Sequence, residues 1–145
     1  MQHIVFLEQY GSLGGGQQVL LELVRAALHI GCRVSVLIPN GPCVEKLRSI
    51  GAHVHKIADS HLSQGKKSYS DILRFIIYSW RIFLQYTGLL RSADLIYING
   101  NRLLGTGMLA QYLLQRKAVC HMYLNHVQLE QRLFQLFFYR VEKAI

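Results

Sequence analysis

Gly11-Ser12-Leu13-Gly14-Gly15-Gly16-Gln17-Gln18-Val19-Leu20 follows closely on the apolar run Ile4-Val5-Phe6-Leu7. A strand that runs into glycines and then into a helix gathers backbone N–H groups at a positive helix end. Such a corner suits an anionic or polyhydroxylated ligand. Glycine is required where the backbone turns to positive φ or where a ligand must come within contact distance. The helix itself is read over residues 17–30, where Val19, Leu20, Leu23, Val24, Ala27 and Leu28 recur at helical spacing. Gly31 closes it from the position just past its end.

The alternation continues outward from this corner. Residues 33–38 read as a second strand, stopped by Pro39-Asn40-Gly41-Pro42, and residues 43–50 as a short helix that Gly51 ends. A weaker strand at 53–57 precedes a polar loop and one long helix over residues 69–90. Leu95-Ile96-Tyr97-Ile98 is a fourth strand, and Asn99-Gly100-Asn101 turns it into a helix through Leu103, Leu104, Met108, Leu109, Tyr112 and Leu113. Residues 118–123 are read as a fifth strand and 127–143 as a final helix. Ala144-Ile145 reads as the start of another strand, cut short. The expectation is a single α/β, Rossmann-like domain over residues 1–145, truncated at its end: a parallel sheet flanked by helices and joined by right-handed crossovers. Ligands in such sheets bind outside the carboxyl ends of the strands. That rule selects loops 9–17, 39–42, 99–102 and 123–126 as the walls of one crevice.

A chain of 145 residues, 51% hydrophobic and 17% charged, holds one domain with a substantial core. Its mean hydropathy of +0.20 argues against disorder. The net charge of +8 favours phosphate-bearing ligands, nucleic acid or an anionic membrane. The basic residues are spread over the helices without a nucleic-acid-binding motif, so no nucleic-acid partner is expected. Cys32, Cys43 and Cys120 are isolated, with no metal spacing and no disulfide framework. No signal peptide and no uncharged membrane-length window stand out, so a cytoplasmic protein is expected, with the inner face of a membrane as an alternative point of contact.

Two familiar glycine loops do not fit. The dinucleotide fingerprint counted from Gly14 puts Val19 at its third position, and the second strand ends Ile38-Pro39-Asn40 without a carboxylate. A phosphate-cradling P-loop needs Gly-Lys-Ser/Thr, whereas Gly16 is followed by Gln17-Gln18. What remains is a loop offering main-chain amides to a sugar or phosphate, or a tight turn whose glycines serve packing alone.

The stretch from Ile4 through Leu20 resembles the opening of the group 1 (family 4) retaining glycosyltransferases of GT-B fold. The resemblance continues through Gly31-Cys32-Arg33-Val34-Ser35-Val36-Leu37, Gly51-Ala52-His53-Val54, Ala93-Asp94-Leu95-Ile96-Tyr97-Ile98-Asn99 and Lys117-Ala118-Val119-Cys120-His121-Met122-Tyr123. It implies an N-terminal, acceptor-side domain whose Gly14, Gly15, Gly16 and Gln17 approach the donor phosphate. Gln9, Asn99, Asn101 and Arg102 would bind hydroxyls. The family's histidine at the end of the fifth strand falls ambiguously here, on His126 or Tyr123, while His121 also suits a core position. The nucleotide sugar is substrate rather than resident cofactor, and no metal is called for. The implied partners are a sugar or lipid-linked acceptor and a donor-binding domain or subunit, whose paired glutamates are absent from this sequence. The chain alone is expected to be inactive. The alternative is a non-catalytic module that pairs with a separate donor-binding subunit.

The helix over residues 72–90 has two readings. Arg74, Tyr78, Arg81 and Gln85 form a narrow polar stripe on an otherwise apolar cylinder containing Phe75, Trp80 and Phe83. The preferred reading is a helix buried on most sides. The other is an interfacial helix touching anionic lipid, assisted by Lys66-Lys67. In the final helix, Leu129, Leu133, Leu136, Phe137 and Val141 repeat at helical spacing and read as core, or as a face for self-association if left uncovered.

Overall fold

The computed structural model describes residues 1–60 and 69–121. Five strands, β1 (His3–Glu8), β2 (Arg33–Pro39), β3 (His53–Ile57), β4 (Leu95–Asn99) and β5 (Lys117–His121), form one sheet in the order β3-β2-β1-β4-β5. Every pairing is parallel. The helices are α1 (Gly15–His29), α2 (Pro42–Ser49), α3 (Tyr69–Gln85), α4 (Thr87–Arg91) and α5 (Leu104–Leu114), the last entered through a 3-10 turn at Asn101–Leu103. The expected fold class, an α/β Rossmann-like sheet flanked by helices, is the observed one. The expected helix at 127–143 and the strand start at Ala144-Ile145 lie outside the described residues.

Strand alternation splits the apolar residues between two cores. Val5 and Leu7 of β1, with Ile96 and Ile98 of β4, face the layer of α3, α4 and α5. Phe6, with Val34, Val36 and Ile38 of β2, faces α1 and α2. Because β1 is central and covered on both sides, its near-continuous hydrophobic run is what the position demands. Each fully buried side chain of this size contributes about 1.5–3 kcal/mol. Helices α1 and α2 end alike: Gly31 and Gly51 take φ of 81° and 96°. In each case the next residue returns a backbone bond into the last turn, Cys32 N to Ala27 O and Ala52 N to Leu47 O.

The single helix expected over residues 69–90 is two. Tyr86 leaves the helical conformation at φ −114°, ψ 19°, and its hydroxyl donates to the Lys56 carbonyl of β3. Thr87 turns its hydroxyl back onto the Phe83 carbonyl at 2.7 Å, and Gly88 follows, so local bonding and poor propensity coincide at the break. The preferred reading of α3 as buried on most sides is also corrected. Its buried line is Asp71, Tyr78, Ser79, Ile82 and Phe83, while Ile72, Leu73, Ile76, Ile77, Trp80 and Leu84 are exposed. Tyr78, assigned to the polar stripe, lies inside with its hydroxyl on the Ala58 carbonyl. Periodicity alone could not separate the two sides, because both are apolar. What selects the buried one is close contact with α5, where an added Cβ on Gly105 would come within 2.3 Å of Ser79 Oγ.

At the other end of the sheet from the glycine corner, the buried His3 ring places Nε2 2.9 Å from Ser35 Oγ and Nδ1 3.2 Å from the Ser92 carbonyl oxygen. Burial holds its pKa below the ordinary 6.5, and His55 is lowered in the same way. The unfolded chain therefore binds more protons than the folded one just below that value. Their contribution is complete above about pH 6.5 and is lost as pH falls below it. Urea unfolding between pH 7 and 5 is expected to show stability decreasing toward acid. His3→Gln should flatten that slope, and an unchanged slope would remove His3 from the account.

Candidate functional site

The crossovers from β1 run one way to β2 and β3, and the return through α3 and α4 brings the chain to β4 on the other side of β1. The switch point of the sheet thus lies between β1 and β4, which pair in register from Ile4↔Leu95 to Glu8↔Asn99. In a parallel sheet the loops that leave the carboxyl ends of these two strands flank a crevice.

Beneath that crevice sits Glu8, fully buried at the last position of β1. Its Oε1 accepts from the Tyr10 amide at 2.9 Å and from Gln17 Nε2 at 3.0 Å. Its Oε2 accepts from Asn99 Nδ2. Burial pushes the Glu8 carboxyl above the usual range, and the donors from Asn99, Tyr10 and Gln17 oppose that shift. An unpaired carboxylate here would cost several kcal/mol; three donors from the first loop, α1 and β4 offset it. Glu8 is absent from the site residues expected from the sequence. The available signal was a carboxylate at the carboxyl end of a central strand, directly before a glycine loop. The nearby Cys43 thiol is pushed up to about 11, by burial first and then by the Glu8 charge.

The first and second loops cross with no room between them. A Cβ on Gly11 would lie 2.3 Å from the Asn40 carbonyl oxygen, and one on Gly41 the same distance from the Gly11 carbonyl oxygen. The Cys43 amide donates to that Gly11 oxygen at 3.0 Å, closing the crossing. Gly15 is different. It is exposed, and a Cβ there would meet nothing within 4 Å. Gly14 is the extended residue that opens α1. No side chain caps this helix, and no acidic residue occupies its first turn. Gly15 is therefore the open part of the corner, and Gly11 and Gly41 are its framework.

The expected site residues divide along the same line. Gln17 and Asn99 are buried, and their amide nitrogens hold Glu8. Asn99 also donates to the Gly16 carbonyl at 3.3 Å, tying β4 to the glycine turn. The Gln9 carboxamide oxygen accepts from the Arg102 amide at 3.1 Å and packs on Gly100. At Gly100 (φ 97°) any side chain would overlap that carboxamide, with a Cβ only 2.3 Å from it. Asn101 is exposed at the start of the 3-10 turn. Arg102 donates from Nη1 to Ser60 Oγ at 3.0 Å and places its guanidinium 4.9 Å from the centre of the Tyr10 ring. It thereby gathers the loops after β1, β3 and β4. Tyr123 and His126 lie outside the described residues. His121, the last described residue of β5, has Nδ1 2.7 Å from the Tyr97 hydroxyl. Among the described residues no three His, Cys, Asp or Glu side chains converge as a metal site.

This sheet order, with a glycine corner at the switch point, defines an α/β Rossmann-like domain, and its fold is similar to part of several solved glycosyltransferases. MurG of Acinetobacter baumannii superposes with TM-score 0.62 at 18% identity, over 90% of this chain and 38% of its own. CalG4, the calicheamicin glycosyltransferase, gives 0.59 at 18%, over 92% and 36%. HepE of Anabaena, determined in complex with UDP and glucose, gives 0.59 at 20%, over 83% and 29%. The chain thus spans about a third of the length of these structures, and at such identities the likeness is one of fold. No sequence-family model matches the chain, and no curated protein does.

Two sets of substitutions separate framework from open surface. Gly11→Ala or Gly41→Ala should cost about 3 kcal/mol or more, because backbone must move. Gly15→Ala should leave stability within about 1 kcal/mol, on the stabilising side, since it adds a better helix former where space is open. Denaturant unfolding checks both, and equal effects would mean the corner is uniformly packed. Glu8→Gln turns an amide toward donors and should cost about 1–3 kcal/mol, a fall of several degrees in Tm. An unchanged Tm would show that the three donors do not depend on the carboxylate.

Proposed function

We propose that this chain is the N-terminal, acceptor-side domain of a retaining GT-B glycosyltransferase, which moves a sugar from a nucleotide-sugar donor to a hydroxyl acceptor. The observation that carries the reading is the start of α1, which no side chain caps and which is open at Gly15, at the switch point of a sheet similar to those of MurG, CalG4 and HepE. Departure of a nucleotide diphosphate concentrates negative charge on the leaving oxygens. Amides pointing outward from the start of α1 meet that charge without reorganising, which is where such donors contribute most. Arg102, braced by Tyr10 and Ser60, adds a fixed positive charge at the rim. Asn101 presents a polar side chain beside it for an acceptor hydroxyl.

Gln17, Asn99 and Gln9 act in this reading by holding the loops in place. Tyr123 or His126 would stand at the reacting centre, following the resemblance of the segment after β5. The donor is held by a second domain or subunit, and the acceptor is a free or lipid-linked sugar. No step in this scheme calls for a metal ion.

The isolated chain, offered nucleotide sugars and simple acceptors, is expected to release no nucleotide diphosphate; turnover by the pure chain would overturn the requirement for a donor domain. In a polypeptide that joins this chain to a donor-binding domain, Gly15→Leu should lower kcat/KM at least ten-fold by obstructing approach to the amides. Its thermal unfolding should match that of the parent. Unimpaired transfer by that variant would reduce the glycine corner to a structural turn.

A further inference from the structure

Helix α3 is 17 residues long, about 25 Å, and only one side of it is committed to the core. Ile72, Leu73, Ile76, Ile77, Trp80 and Leu84 are between 41% and 66% exposed. At 100° per residue all six fall within one continuous arc, with Ile72, Ile76, Trp80 and Leu84 in a single row. Arg74 and Arg81, seven residues apart, border the arc at its Ile77 edge, and both are exposed. Neither has an ion-pair partner among the described residues. The one acidic residue of α3, Asp71, is buried.

The other layer is built differently. The arginines of α1 and α2 are neutralised in place, Arg25 by Glu22 at 2.8 Å and Arg48 by Glu45 at 3.0 Å. Exposed apolar side chains in a contiguous row, bordered by unneutralised arginines, therefore belong to α3 alone among the described helices. Singly scattered exposed apolar residues need no explanation; a contiguous row does.

Helix α5 packs on α3 and on β5, on the inward side of α3. Among the described residues no helix is long and apolar enough to cross a membrane. A helix of this pattern instead lies in the plane of an interface, its apolar side at the level of the headgroups and upper acyl chains.

We propose that the exposed side of α3 docks this domain onto an anionic lipid surface. Ile72, Leu73, Ile76, Ile77, Trp80 and Leu84 enter the interface, and Arg74 and Arg81 meet acidic headgroups at its border. Charge complementarity selects this occupant over a neutral one: the chain carries a net +8, and basic residues near an acidic leaflet strengthen attachment. The buried side of α3 reaches toward the crevice, since Tyr78 bonds Ala58 while Ser60, two residues on, bonds Arg102. The proposal is independent of the transferase reading, as its test involves no sugar.

Trp80 is the only tryptophan of the chain, so its fluorescence reports on this face directly. The full chain is expected to float with phosphatidylcholine vesicles containing phosphatidylglycerol, with Trp80 emission shifted to the blue, and to stay behind with phosphatidylcholine alone. The pair Arg74→Glu and Arg81→Glu should weaken partitioning at least ten-fold. Ile76→Ser with Leu84→Ser should do so while far-UV circular dichroism and Tm stay unchanged, since neither side chain is in the core. Equal binding to both vesicle types, equal binding by either pair of variants, or no flotation at all would overturn the proposal. So would a lipid-independent oligomer that the Ile76→Ser, Leu84→Ser pair converts to monomer, which would assign the face to a second copy.

Discussion

A carboxylate enclosed at the end of the central strand imposes more on this molecule than any other single group. Glu8 is removed from water, so every oxygen lone pair it presents must find a donor inside the protein. The donors come from separate pieces of chain: the Tyr10 amide from the first loop, Gln17 from the first turn of α1, Asn99 from the end of β4. Satisfying one buried charge thus sets the start of α1 relative to the two strands that flank the switch point. The glycine turn is held open above a polar floor, since Asn99 also takes the Gly16 carbonyl.

Around that floor, each loop is fixed by a different device. Gly11 and Gly41 cross at backbone contact, leaving no latitude in the first two loops. Gln9 bridges to Arg102, and Arg102 reaches Ser60, so the loops after β1, β3 and β4 are braced by side-chain bonds. The result is a rim stiff in its framework and bare where Gly15 meets solvent. That is the arrangement a preorganised anion or hydroxyl site needs, because groups already aimed lose nothing in being aimed.

The two helical layers carry unequal burdens. α1 and α2 follow the usual economy of a surface helix, with apolar residues inward and neutralised charges outward. α3 spends its inward side on Tyr78, Ser79, Ile82 and Phe83 and still leaves an apolar row outside. Cysteines contribute little chemistry to either layer: burial pushes the Cys120 thiol up to about 12, and Cys43 is raised as well, so both are poor nucleophiles at neutral pH.

Much of this was readable in the chain. Five apolar runs separated by helices, the first two of them glycine-ended, determine a parallel α/β sheet, because a strand covered on both faces must be apolar throughout and the positive φ at Gly31 and Gly51 costs glycine little. The glycine corner and the loops after β1, β2 and β4 were legible for the same reason: local pattern and local turn chemistry coincide. The roles of Glu8, Gln17 and Asn99 were not, since Asn99 is 91 residues from the buried carboxylate and reaches it only through strand pairing, and the turn of Gln17 back onto Glu8 depends on the same enclosure. Nor was the buried side of α3, where apolar residues surround the helix and the fit of Ser79 against Gly105 makes the choice. The sequence by itself determined which segments are strands and helices, the break at Tyr86 apart, through periodicity and glycine helix ends. Tertiary structure alone decided which polar groups share a buried charge and which apolar face stays uncovered, because both depend on contacts between segments far apart along the chain.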